Sequence, residues 1–531
     1  MRGARLTGHM LYKGIQSFRL DRTRELCVMI SISLPSALQG SALLVVLFLL
    51  ARLLLRKPAA PLPPGPNPIP LLGNLTIPEP FHVPFKRWAD EYGDVMLYRI
   101  MGLPILFVNT RKAAAELLEK RTASTGGRPH QVMCDDLCHL SPDPSRTNDL
   151  ALHRQYRRLY NIVIGPRTAA CAWPIQVRET RRAALEILES PSRRMEPIRR
   201  AIAAIVFELV YGMKIKSYSD PMVQMANEAL QRFETIVKPG NWLVDMIPAL
   251  QYLPKWLPGT DFLRLSKEYD ALNISMRTLP YEQVKREMAK GTAKPCLTVT
   301  LMEEEEKYGE ELIKWITISH YTGGAETSAS ALHTFFAAMV LYPSVQAKAQ
   351  AELDTIIGRE HPPTLEDRER LPYCTALVSE VLRWQPVAPV ALPHCMLKDE
   401  IYEGYLLPKG TTIMANVWAM TRDERDFPDA DEFQPERWLT EDGTLKEDVP
   451  GRTISLAFGF GRRICPGWHL AEANLFAGTV AILWSAVLSK PEGVKIEWVE
   501  GLGPQHPKDF KMEVRPRWDG AVEALRASLG E

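Results

Sequence analysis

Phe458-Gly459-Phe460-Gly461-Arg462-Arg463-Ile464-Cys465-Pro466-Gly467 is the stretch on which the reading of this chain turns. Its glycines allow a tight loop that can lie close against a large flat object, an approach that residues with a Cβ would resist. Cys465 stands at the tip of that loop. Pro466 follows where proline starts helices well, and Trp468-His469-Leu470-Ala471-Glu472-Ala473-Asn474-Leu475-Phe476 reads as the helix it starts. A sulfur in that place meets unsatisfied backbone N–H groups and the positive end of the helix dipole, and both favour thiolate over thiol. Such a sulfur is a metal ligand or a nucleophile. Taken alone, a cysteine is more often a small buried hydrophobe, so its neighbours have to make the case.

They do so by pattern. Phe458, Gly461, Arg463, Cys465 and Gly467 fill every fixed position of F-x-x-G-x-R-x-C-x-G, and the stretch resembles the haem-binding loop of the cytochrome P-450 family. The resemblance implies haem b with the Cys465 thiolate as axial iron ligand, pushing electron density toward the iron. It also implies that Arg463, a permanently charged fork donor, pairs with a haem propionate. A chain of 531 residues raises the expectation of several domains. The resemblance replaces that with one large catalytic domain, mainly α with small β-sheets, behind an N-terminal transmembrane helix.

Further matches follow in the family's order. Residues 310–341 carry a long helical pattern interrupted at Thr322-Gly323-Gly324-Ala325-Glu326-Thr327-Ser328. Glycine inside a helix costs roughly 1 kcal/mol against alanine, so the pair needs a reason. Close helix packing is one. The resemblance implies another: a locally opened helix with room for dioxygen, where Thr327 bonds the oxygen or an ordered water and Glu326 helps relay protons. Glu380 and Arg383 stand three apart, on one face of a helix. As an exposed pair they would be commonplace. They resemble the family's E-x-x-R, and Phe433-Gln434-Pro435-Glu436-Arg437-Trp438 resembles its partner loop. Glu380, Arg383 and Arg437 are therefore expected to form a buried network that holds the cysteine loop. His153 and Arg157 fall where the family has W-x-x-x-R, with histidine in place of tryptophan; both would donate to a propionate. An exposed basic helix face is the other reading of this segment, and the family's reductase docks on that face. His394 resembles the family's propionate-contacting His or Arg, against the plainer reading of a polar strand residue.

Outward from these motifs, residues 26–51 hold no charge. At about 1.5 Å per residue they outreach a hydrocarbon core of about 30 Å. Residues 26–57 thus read as a transmembrane anchor whose Arg52, Arg56 and Lys57 snorkel to the interface. A cleaved signal peptide is the competing reading, but the run leads into a basic segment rather than a small-residue cleavage site. Residues 1–25 are basic as well, which leaves orientation open, and translation from Met29 would remove that whole extension and leave a short uncharged leader. Residues 58–74 form a proline-rich hinge and 75–531 the haem-thiolate domain. Within it we expect a helix over 81–92, strands over 95–100 and 105–109 joined at Gly102, and a helix over 111–120. An irregular segment follows over 124–148, with mostly helix over 174–290 and strands near 393–394 and 408–413. Cys134, Cys138 and His139 could form half a metal site, but no second pair is visible. Asn74-Leu75-Thr76 and Asn273-Ile274-Ser275 are glycosylation sequons that stay empty if the domain faces the cytosol.

Net charge is +1, with 24% charged and 46% hydrophobic residues, which excludes a strongly basic nucleic-acid binder. Eight scattered cysteines give no disulfide framework and fit a reducing compartment. The resemblance implies a monooxygenase inserting one atom of O2 into an apolar small molecule, most like fungal microsomal members that tailor polyketides and terpenoids in secondary metabolism. No flavin or iron–sulfur domain is visible, so electrons come from NADPH through a cytochrome P-450 reductase, with cytochrome b5 as a second donor. The single-pass anchor implies the endoplasmic reticulum membrane with the domain facing the cytosol. Alternatives are a non-oxidative isomerase or dehydratase of the same family, whose members often lack the acid and threonine kept here as Glu326 and Thr327, and a haem-binding sensor without turnover.

Overall fold

The computed structural model describes residues 60–69, 73–74, 82–100, 102–191, 195–238, 240–447, 454–499, 501 and 503–531. The chain divides into two units, Met1–Pro61 and Leu62–Glu531. The expected basic extension, the anchor and residues 58–59 and 70–72 of the hinge lie outside the described residues. Among those described, no helix is long and apolar enough to cross a membrane.

The second unit is mainly helical with small sheets. After helix α1 (His82–Tyr92), strands β1 (Val95–Ile100) and β2 (Leu103–Val108) pair antiparallel, Val95 opposite Val108 and Ile100 opposite Leu103. Strand β2 starts two residues before the expected 105, because Gly102 at φ +83° turns the chain almost alone. The expected helix over 111–120 is α-helical only over Arg111–Ala114, capped by Thr110, and widens to a π-helix over Ala115–Lys120. Strand β3 is His394–Cys395, β4 (Glu400–Tyr402) and β5 (Tyr405–Leu407) form a hairpin, and β6 is Thr412–Ala415. The main sheet runs β1-β2-β6-β3, with β2 and β6 parallel and β3 antiparallel to β6, so that His394 stands opposite Ile413.

Besides Pro343–Ile356, the longer helices are α2 (Leu150–Val163), α3 (Trp173–Glu189), α4 (Met195–Tyr211), α5 (Pro221–Val237), α6 (Phe262–Ala289), α7 (Glu310–Leu341), α8 (Pro372–Trp384) and α9 (Trp468–Ser485). Asp149 starts α2 by accepting from the backbone N–H groups of Ala151 and Leu152, as an aspartate N-cap should. Helices α7 and α9 bury apolar residues on every side, the pattern of helices at the centre of a large domain. Leu332, Phe335 and Phe336 of α7 share a core with Phe476, Leu483 and Trp484 of α9 and Leu377 and Val381 of α8. Each such side chain contributes about 1.5–3 kcal/mol on burial.

The expected interruption of α7 does not occur. Its helix runs unbroken through Gly323 and Gly324, and Thr327 Oγ1 donates to the Gly323 carbonyl at 2.7 Å, one turn back. Packing does not explain the glycines either. A Cβ on Gly324 would meet only Val206 Cγ2, at an ordinary 3.6 Å, and one on Gly323 would meet nothing within 4 Å. Gly323 is exposed in the middle of this otherwise buried helix. Gly323 therefore faces open space, one turn before Thr327, while Gly324 lies in ordinary contact range of Val206.

Candidate cofactor site

The loop before α9 is shaped by one glycine above all. Gly461 has φ +57°, and a Cβ there would sit 2.2 Å from the carbonyl oxygen of Leu118. No other residue fits. The Cys465 N–H donates to the Phe458 carbonyl at 2.7 Å, closing the loop, and Phe458 packs against the α7–α8–α9 core. From α2, Arg157 Nη1 donates to the Ile464 carbonyl at 2.7 Å and ties the loop to that helix. Every residue from Ile464 to His469 stays partly exposed, so the loop borders space rather than packed protein.

Two groups of the site favour the Cys465 thiolate, the Gly467 N–H and the Arg157 charge. Burial pushes the thiol up, outweighing the Gly467 N–H bond and the Arg157 charge that pull it down. Helix α9 begins only at Trp468, so its dipole acts from beyond the Gly467 cap. Stabilising the anion falls to a bound cation.

Before α2 and in the cysteine loop, two guanidinium groups bond to backbone carbonyls rather than to carboxylates. Arg463 Nε donates to Gly126 O at 3.0 Å and Nη2 to Thr147 O at 2.7 Å, while Nη1 is buried with no partner. Arg128, itself buried, donates from Nε to Ser145 O at 2.8 Å and from Nη1 to Leu392 O and Pro393 O at 3.0 and 2.7 Å. Burial, then the charges of Arg463 and Arg146, bring it down to about 9, with Asp143 opposing. Arg463 is brought to about 10 by burial. His153 lies one helical turn from Arg157 and is held neutral at about 4, first by burial and then by Arg463, Arg157 and Arg128. His394 donates from Nδ1 to the Thr125 carbonyl at 3.1 Å and sits at about 3, through burial, Arg128 and Arg463. Buried charge of one sign is costly unless something pairs with it. The donor set fits a ligand with carboxylates at one edge, and the orphaned Nη1 of Arg463 marks where one would bind.

On α7, Glu326 accepts from Arg199 Nη2 of α4 at 2.8 Å, with both side chains partly buried, and the adjacent Thr327 hydroxyl donates to the Gly323 carbonyl. Behind the site, Glu380 is fully buried and accepts five hydrogen bonds: from Arg383 Nη2 (2.7 Å) and Nε (2.8 Å), Gln434 N (2.8 Å), Arg437 Nε (3.0 Å) and Trp438 Nε1 (2.9 Å). Arg383 spends its remaining donors on the carbonyls of Thr421, Ala430 and Glu432.

The structure thus brings Arg463, Arg128, His153 and His394 within one another's electrostatic reach and Arg157 within that of Cys465, sets Thr327 and Glu326 on a central helix, and gathers Glu380, Arg383 and Arg437 into one cluster. Gly467 needs no special conformation, with φ −91° and the nearest atoms to a Cβ at 3.9 Å. The sequence reading missed Arg128, Arg199 and Trp438. Arg128 had a signal in its neighbour: a Cβ on Gly127 would strike Leu397 Cδ2 at 2.7 Å and Cys395 O at 2.9 Å, so Gly-Gly-Arg-Pro is a fitted corner rather than loose loop. Cys134 and Cys138 are buried thiols pushed up by desolvation, and among the described residues no group of three ligands could hold a metal. Asn273 is buried on α6, and the Asn74 amide is bonded to Pro66 O and Arg99 N.

Comparison with known proteins gives a consistent result. The family described as Cytochrome P450 matches residues 63–509. Cytochrome P450 monooxygenase claR of Ampulloclitocybe clavipes is 37% identical over 496 residues, covering 91% of each chain. Cytochrome P450 monooxygenase 208 of Postia placenta is 34% identical over 504 residues, 92% of this chain and 97% of its own. Cytochrome P450 monooxygenase ppsD of Aspergillus oryzae is 34% identical over 482 residues, 87% and 90% respectively.

Proposed function

Since the chain belongs to the cytochrome P450 family of haem-thiolate oxidoreductases, we propose that it hydroxylates, or oxidises in a related way, an apolar small molecule with one atom of O2. The observation that carries the assignment to this site is the buried, unpartnered Nη1 of Arg463 beside Cys465. Haem, when bound there through the Cys465 sulfur, supplies electron transfer to O2 and its activation. Arg128, Arg157, Arg463, His153 and His394 would hold its carboxylates, Phe458 and Gly461 shape the cysteine loop, and Gly467 donates to the sulfur.

The remaining steps belong to the chain. Gly323 leaves open space on α7, one turn before Thr327, that a side chain would fill. Thr327, released from the Gly323 carbonyl, would present a hydroxyl that holds a water or a proton at Oγ1. Glu326 passes protons inward from the Arg199 side, since a carboxylate that exchanges one ion-pair partner for a water can shuttle. These two residues favour oxygen activation over isomerisation or dehydration. The Glu380–Arg383–Arg437 cluster keeps the loop in place.

Electrons reach the site from NADPH through a reductase, or from cytochrome b5, docking where Arg154 and Arg158 are exposed on α2. The uncharged run over 26–51 supports a single-pass anchor in the endoplasmic reticulum membrane with the domain in the cytosol, and an apolar substrate drawn from that membrane. Polyketide or terpenoid tailoring is the class of reaction this suits. Reductase-containing membranes supplied with host metabolites should yield products one oxygen atom heavier, dependent on NADPH and O2. Products of unchanged oxygen content, formed without O2, would overturn the reading.

A further inference from the structure

Strand β3 presents His394 with one ring nitrogen already engaged. Nδ1 lies 3.1 Å from the Thr125 carbonyl oxygen. A carbonyl has no proton to give, so Nδ1 carries one, and in the neutral ring Nε2 is a bare lone pair. The charges that face this ring are Arg128, from the segment before α2, and Arg463, from the cysteine loop. A lone pair suits those guanidinium groups. It repels a carboxylate, which needs a donor at Nε2, and that donor exists only in the imidazolium. Nothing of the kind binds His153, whose environment includes Arg463, Arg157 and Arg128 but no backbone acceptor for its ring, so it can donate to an anion while neutral.

We infer that seating a haem propionate against Arg463 protonates His394, so that cofactor binding by this chain takes up one proton at a side chain remote from the iron ligand. The inference rests on the haem reading given above. The proton comes from solvent, its charge meets the propionate, and no other bond changes. Cys465 loses its own proton on ligation, so the net count combines two opposite events. Comparison with His394→Arg isolates one of them, because arginine arrives already charged. The sign follows from linkage: His394 has a higher pKa with the carboxylate bound than without it. Its contribution to binding is therefore complete below the free value, about 3, and is lost as pH rises through the bound value.

The test partitions haem between the holoprotein and a competing haem-binding apoprotein over about pH 5.5 to 8.5, for wild type, His394→Arg, His394→Gln and His153→Phe. The ratio of wild-type to His394→Arg affinity should fall by up to about tenfold per pH unit until the bound value is passed, then level off. His394→Gln, whose amide donates without titrating, should give the same slope and serves if the arginine variant loads poorly. His153→Phe should keep the wild-type pH dependence. A ratio that stays flat over the whole range overturns the inference and leaves the haem reading standing. If wild type retains no haem at any pH, both fall together.

Discussion

Arg383→Ala is the perturbation whose cost can be worked most directly from the structure. Its side chain is 0% exposed and makes both bonds to Glu380, at 2.7 and 2.8 Å. It also donates to the carbonyls of Thr421 (2.9 Å), Ala430 (2.7 Å) and Glu432 (2.9 Å). Truncation strips Glu380 of two of its five donors and leaves it a buried carboxylate held by Arg437, Trp438 and the Gln434 N–H. Removing one partner of a buried ion pair costs about 3–5 kcal/mol. Each carbonyl left without a donor adds about 1 kcal/mol or more, unless water fills the gap. Against a total stability of about 5–15 kcal/mol, this loss unfolds a large part of the population or leaves it on the edge. Urea unfolding followed by tryptophan fluorescence, with haem content measured alongside, reads it out. The expected result is a midpoint far below wild type and little bound haem. Arg383→Lys, which keeps the charge but not the fork, should recover only part of the difference. An alanine variant with a wild-type midpoint and full haem content would refute the reasoning.

Gly461→Ala should abolish haem loading, because its Cβ meets the Leu118 carbonyl at 2.2 Å, whereas Gly467→Ala should fold with near wild-type stability; equal losses in the two variants would contradict the loop geometry. His320, buried on α7 with Nε2 unpartnered, is held at about 4 by desolvation, so the unfolded chain binds its proton more tightly. Stability is therefore lost as pH falls from about 6.5 toward about 4, by roughly 3 kcal/mol for this residue, and His320→Leu should flatten that part of the acid limb. An unchanged limb would show that the ring is solvated in solution. Arg199→Ala frees Glu326 from its 2.8 Å ion pair. It should change the solvent isotope effect on O2-dependent turnover while leaving haem content intact, and an isotope effect equal to wild type would remove Arg199 from the proton path.

The sequence carried much of this site because its parts are local. Cys465, Arg463 and Gly461 lie within five residues, Glu380 and Arg383 one turn apart, and Glu326 and Thr327 side by side, so spacing alone proposes their roles. Arg437 was reachable only through its motif. What stayed hidden depends on tertiary contact. Arg128 matters because it lies against Arg463, far along the chain, and Arg199 because α4 packs on α7. Trp438 stood inside a recognised loop, yet nothing in its neighbours says that its N–H reaches Glu380. The paired glycines misled in one respect. A glycine pair lowers helix propensity, but the buried flanks of α7 on both sides hold it helical, so Gly323 provides space without a break. Nor does spacing show how strongly burial opposes the Gly467 N–H bond and the Arg157 charge at Cys465.

The carbon monoxide difference spectrum of the reduced, purified protein, taken beside that of Cys465→Ser, tests the central claim most directly. A thiolate donating from position 465 to haem iron gives the red-shifted band in wild type and its loss in the serine variant. A serine variant that retains its pigment and the same band would contradict the account.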